Sequence, residues 1–195
     1  AMAASRAPVT LIWIGADLGA SSVYPAKVEA KAPVGSVQVR GITLPDLVEQ
    51  YGMPYFMKVD IEGADRVCVL ALTATARPEY LSFEIGDDFE ELLEHVRGIG
   101  YRRFKIVNQS SFRELANHEC VQDRIARRIL HTLGRAKPSH IRRAGRLFAS
   151  GRSSGPVPWR SDGRWRTFAQ TVAGWHAAQD GAARSGWYDL QATTT

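Results

Sequence analysis

Between residues 55 and 108 the chain reads strand, helix, strand, helix, strand, and no other feature constrains its fold as much. Tyr55–Val59 is an apolar strand that ends at Asp60, with Gly63 in the following turn. Val67, Leu70, Ala71 and Ala74 share one face at helical spacing, which predicts a helix over 64–74. Pro78 stops any continuation. Tyr80–Ile85 is the next strand. Asp87 or Asp88 can cap a second helix whose buried stripe is Phe89, Leu92, Leu93 and Val96, ending at Gly98 and Gly100. Arg103–Asn108 is the third strand. Strands joined by helices point to an α/β fold with a mostly parallel sheet and right-handed crossovers.

The flanking segments add smaller pieces. Val9–Ile14 reads as a short buried strand running into a turn-like stretch at 15–22. Residues 37–42 alternate as a half-buried strand does, and a short helix follows over 45–50, with Thr43 or Leu44 near its cap and Pro45 in its first turn. Residues 166–178 predict a helix carrying Phe168, Val172 and Trp175. Trp187–Leu190 predicts a last strand before a frayed threonine tail.

Length and composition set the limits. At 195 residues, with 45% apolar and 23% charged residues, the chain suits one α/β domain over 1–195. No apolar run approaches the ~20 residues of a membrane span. Two cysteines, Cys68 and Cys120, cannot build a disulfide scaffold, and no histidine pairs with a second ligand at zinc spacing. The expectation is a soluble, cytoplasmic protein without a metal site. The net charge of +5 hides a split. Residues 1–100 hold 8 Lys/Arg against 14 Asp/Glu, a net of −6, whereas residues 101–195 hold 17 against 6, a net of +11. Residues 124–166 carry 12 basic side chains and one acid, Asp162, with Trp159 and Trp165 among them. Basic residues interleaved with aromatics can bind a polyanion such as nucleic acid. The favoured alternative is a solvated insertion or a lid over an anionic substrate, since no nucleic-acid motif is present.

The carboxylates form the main chemical candidate. Asp60 and Glu62 flank Ile61 directly after a strand, and Glu84 sits near the end of the next. Ligands of open parallel sheets bind outside the carboxyl ends of the strands. Acids placed there can take a hydroxyl proton, anchor an amine or hold a divalent ion. The alternative is that Asp60 and Glu62 simply cap the following helix. The glycine turn Gly15–Gly19 resembles the start of a nucleotide loop, but prolines at 25 and 33 interrupt the helix such a loop requires. No Gly-x-Ser-x-Gly elbow is present, so a serine hydrolase has no support.

The segment Met57-Lys58-Val59-Asp60-Ile61-Glu62-Gly63-Ala64-Asp65 resembles the most recognisable motif of the FkbM family of S-adenosylmethionine-dependent methyltransferases. Val39–Leu47, Arg77–Ile85 and Gly100–Gln109 resemble the family's flanking pieces in the same order, so the likeness spans residues 37–110. It implies a Rossmann-like class I methyltransferase sheet with an antiparallel C-terminal strand at 187–190. It implies methyl transfer to a hydroxyl of a small molecule or sugar. Asp60 would lie by the cofactor's methyl group and the acceptor, with Glu62 as the second catalytic acid. Glu84 and Asn108 would contact the substrate. Family members carry their cofactor loop and three further strands ahead of this region. Residues 9–36 resemble instead the insertion between the third and fourth strands. The expectation is therefore the C-terminal part of such an enzyme, one that binds S-adenosylmethionine poorly by itself.

Overall fold

The computed structural model describes residues 1–14, 17–23, 35–61, 63–115, 140–143, 145–149, 155–179 and 187–195. The chain divides into two compact units, 1–101 with Thr194 and 102–193 with Thr195.

The first unit opens with three antiparallel strands in the order β2-β1-β3: β1 (Val9–Ile14), β2 (Asp17–Ser22) and β3 (Gly35–Val39). The turn-like reading of 15–22 is corrected, because Asp17–Ser22 is a strand. Only two residues link it to β1, and a link that short permits antiparallel pairing alone. β3 is largely exposed and stops at Val39, short of the strand expected to run to Ile42. Residues 1–3 instead lie alongside Ile42, whose N–H donates to Ala1 O at 2.9 Å and whose carbonyl accepts from Ala3 N at 3.0 Å. Helix α1 (Leu44–Tyr51) starts at a full capping box: Thr43 Oγ1 accepts from Asp46 N, and Asp46 Oδ2 accepts from Thr43 N. Pro45 in its first turn and Gly52 at its end, with φ of 79°, complete the expected helix.

The strand–helix alternation follows. β4 (Phe56–Val59) and β5 (Tyr80–Glu84) are parallel, in register from Phe56↔Tyr80 to Val59↔Phe83. Helix α2 (Asp65–Leu70) is shorter than the 64–74 expected. Thr73 ends that prospect: its N–H, carbonyl and hydroxyl all bond Ala76, closing a turn where the helix would continue. Helix α3 (Phe89–Gly98) buries the expected stripe of Phe89, Leu92, Leu93 and Val96. Asp88 stands at its N-cap without a side-chain cap bond. The core joins that stripe to Val59, Cys68, Val69, Leu72, Leu81 and Phe83. Tyr101 closes it, with its hydroxyl donating to Pro78 O at 2.7 Å.

In the second unit β6 (Arg103–Asn108) pairs antiparallel with β9 (Tyr188–Thr193) through six register partners. β7 (His140–Arg143) and β8 (Arg146–Ala149) form a hairpin, and Pro158–Arg160 is one 3₁₀ turn. Helix α4 (Phe168–Gln179) packs on β6 through Phe168 against Phe104, ring centroids 6.4 Å apart, and Trp175 meets Tyr188 at 5.8 Å. The frayed tail is corrected as well. Thr193 lies buried in β9, and Thr194 bonds the backbone and carboxylate of Glu79. The chain is thus α/β. Of the strand pairs within the two units among the described residues, only β4–β5 is parallel, so the expected mostly parallel sheet is not what these pairs form. No helix among the described residues is long and apolar enough to cross a membrane.

Candidate functional site at the carboxyl end of a parallel strand pair

Two of the sequence-derived candidates lie at the same end of β4–β5. Val59 and Phe83 are the last register partners; Asp60 is the first residue after β4 and Glu84 the last residue of β5. Asp60 is exposed and Glu84 half-buried. The Lys58 ammonium, on the same strand, lies 3.3 Å from Asp60 Oδ2. Lys58 is largely buried and Asp60 is not, so the pair presents its carboxylate outward. Glu62 lies outside the described residues.

Asp60 does not cap the following helix. The N-cap residue of α2 is Ala64, which makes no side-chain cap bond. The loop is tied by Asp65 instead, a residue that sequence reasoning carried only as part of the motif. Its buried carboxylate accepts from Ile61 N at 3.3 Å and from Gly63 N at 3.0 Å. Gly63 has φ of +100°, which favours glycine there. The chain is thereby turned back just after Asp60, leaving that side chain at the strand end. The signal was an acid two residues beyond a turn glycine. Arg66, one residue on, bridges to α3 through Glu91, with Nη2–Oε1 at 2.5 Å and Nε–Oε2 at 3.2 Å. Cys68, buried beneath, is no nucleophile at neutral pH: burial and then the Asp65 carboxylate push its thiol up to about 11.

Asn108 belongs to the second unit, where its side chain closes a turn. Its Oδ1 accepts from Ser110 N, Ser111 N and Ser111 Oγ at 2.9–3.1 Å. Phe112, held at φ of 53°, donates its N–H to Asn108 O at 2.7 Å.

The basic stretch is described in part. Arg166 pairs with Glu114 at 2.7 Å, and Arg143 lies 3.7 Å from Asp162. The Trp165 ring is covered by the Lys105 ammonium, 4.3 Å from its centroid. Lys105 was legible only as a strand residue. It lies buried because residues 104–107 are buried on both faces of β6. His118, Cys120 and His131 lie outside the described residues.

A surface hollow of about 570 Å³ in the first unit is lined by Arg6, Arg40, Asp46, Glu49 and their neighbours, and by none of the candidate site residues. Among the described residues no group of three or more His, Cys, Asp and Glu is spaced to hold a metal ion. No protein-family model, characterised protein or solved structure matches the chain.

Proposed function

We propose that the chain serves methyl transfer from S-adenosylmethionine to a hydroxyl oxygen of a small molecule or sugar, with Asp60 as the residue that meets the acceptor. The observation that carries this reading is the exposed Asp60 carboxylate at the carboxyl end of parallel β4, level with Glu84 on β5. The motif resemblance over 57–65 supplies the reaction class, and a Rossmann-like sheet belongs to the same proposal. An exposed carboxylate fits a cofactor with a cationic reacting centre and ribose hydroxyls. When bound, that cofactor supplies an electrophilic methyl group.

The chain's own residues then have definite tasks. Asp60 accepts the hydrogen bond of the acceptor hydroxyl and takes its proton as the oxygen attacks. Lys58 keeps the Asp60 carboxylate in one orientation through the 3.3 Å contact. Asp65 holds the loop that leaves Asp60 at the strand end. Glu84 offers a second acceptor for a substrate hydroxyl.

The test is release of S-adenosylhomocysteine by the product of the complete reading frame, assayed over a panel of hydroxylated acceptors. Asp60→Asn is expected to lower the rate by about 10²-fold, the scale of a lost general base. Undiminished turnover in that variant removes Asp60 from the reaction. A salt-dependent shift of an oligonucleotide with no methyl transfer would favour polyanion docking by the basic half instead.

A further inference from the structure

Lys105 is the most deeply buried cation among the described residues, with 1% of its surface exposed. Its Nζ donates to Pro158 O at 3.0 Å, Ser161 O at 3.2 Å and Ser161 Oγ at 2.6 Å. All three acceptors are neutral and all belong to one segment, 158–166. Gln191, opposite Lys105 in the β6–β9 register, is neutral too, and accepts from Ser161 Oγ at 2.8 Å. Among the described residues the charged groups acting on Lys105 are Glu114 from the turn after β6 and Asp162 from the segment itself, which pair in turn with Arg166 of the segment and Arg143 of the hairpin. Both carboxylates are engaged elsewhere. Glu114 accepts from Arg166 Nε and from Arg164 N, and Asp162 pairs with Arg143. Among the described residues no carboxylate touches the ammonium, so burial leaves it in an unfavourable place for charge that the Trp165 ring, 4.3 Å away, offsets only in part.

We propose that segment 158–166 is a proton-coupled strap on β6, which loosens as Lys105 takes up a proton and tightens as Lys105 gives it up. The cage also accepts the neutral amine, which gives up the ammonium's contact with the Trp165 ring and the Ser161–Gln191 bond. Its two N–H groups donate to Pro158 O and Ser161 O, and its lone pair accepts the Ser161 hydroxyl, which swings from Gln191. Opening the strap carries Lys105 into water, where it binds one proton. The far end of the strap stays fixed, since Arg166 and Phe104 exchange backbone bonds of 2.8 and 2.9 Å. Burial outweighs the pull of Glu114 and Asp162 and lowers Lys105 to about 8. The ordinary lysine value is near 10.4, so closure strengthens as pH rises from about 8 towards 10.

The test uses the intact chain. Amide exchange of 158–166 is followed by mass spectrometry at about pH 7 and about pH 9.5, each normalised to an unstructured reference peptide. Protection of the strap is expected to rise about tenfold or more, with no matching rise in α3. The Cε signal of Lys105 in the NMR spectrum is expected to titrate well below the ordinary lysine value near 10.4. Lys105→Gln is expected to abolish the pH dependence of the strap. Flat or falling protection, an ordinary Lys105 titration, or a rise shared by α3 overturns the proposal.

Discussion

The Asp65 carboxylate accepts the N–H of Gly63 at 3.0 Å and that of Ile61 at 3.3 Å, across the turn between β4 and α2. One side chain therefore sets the conformation of the loop that follows Asp60. Asp65→Ala leaves two backbone donors without their carboxylate partner. The expected cost is about 1–3 kcal/mol in urea denaturation, with Asp65→Asn recovering part of it. If the loop also positions Asp60, methyl transfer in Asp65→Ala falls through kcat rather than KM.

The proposed function carries a second expectation, about the cofactor. Gly19 lies within antiparallel β2, because Asp17–Ser22 pairs with β1. A phosphate- or nucleoside-binding glycine loop requires a helix behind it, whose N-terminal N–H groups face the ligand. We expect the 195-residue chain to bind S-adenosylmethionine no better than weakly. Low-micromolar binding by calorimetry contradicts this and locates a cofactor site that the glycine turn does not supply.

These two regions show how far the sequence carries. Helix α3 was legible because its four buried residues and its glycine stop are local, and α1 because a cap residue at Thr43 or Leu44 and Pro45 in the first turn are neighbours in sequence. Strand β2 was not legible. DLGASS has no alternation, and it is a strand because β1 lies two residues away. Asp60 and Glu84 were legible as strand-end acids, but the burial of Lys105 was not. Its cage is built from Pro158 and Ser161, more than fifty residues away, and a basic residue in RFKIVN reads as surface until that segment is placed. Asp65 was visible as an acid and invisible as a tether, since tethering depends on the φ of Gly63.

Gly163 offers a test of the second unit that is independent of any activity. Its φ is +97°, and a Cβ built on it would overlap Glu114, the residue that holds Arg166 and the N–H of Arg164. Gly163→Ala incurs both the backbone strain and the displacement of that carboxylate. A loss of about 2 kcal/mol or more is expected, read as a lower midpoint with an unchanged denaturant slope. Gly98→Ala is the control: no atom lies within 4 Å of its Cβ position and it is the last residue of α3, so its effect should be small.

Tyr101 predicts how the first unit responds to alkali. Burial raises its phenol, against the lowering pull of Arg77 and with a smaller push from Glu79. The hydroxyl donates to Pro78 O from a side chain that is 1% exposed. Above pH ~10 the unfolded chain releases this proton while the folded chain keeps it, so unfolding gains. The contribution is whole below that pH and declines steadily above it. Tyr101→Phe removes the titration and leaves the Pro78 carbonyl without its donor. It is expected to cost about 1–2 kcal/mol at neutral pH and to flatten the fall in stability between about pH 10 and 11.5. A variant whose stability falls as steeply as the parent's over that interval would assign the alkaline loss to another group.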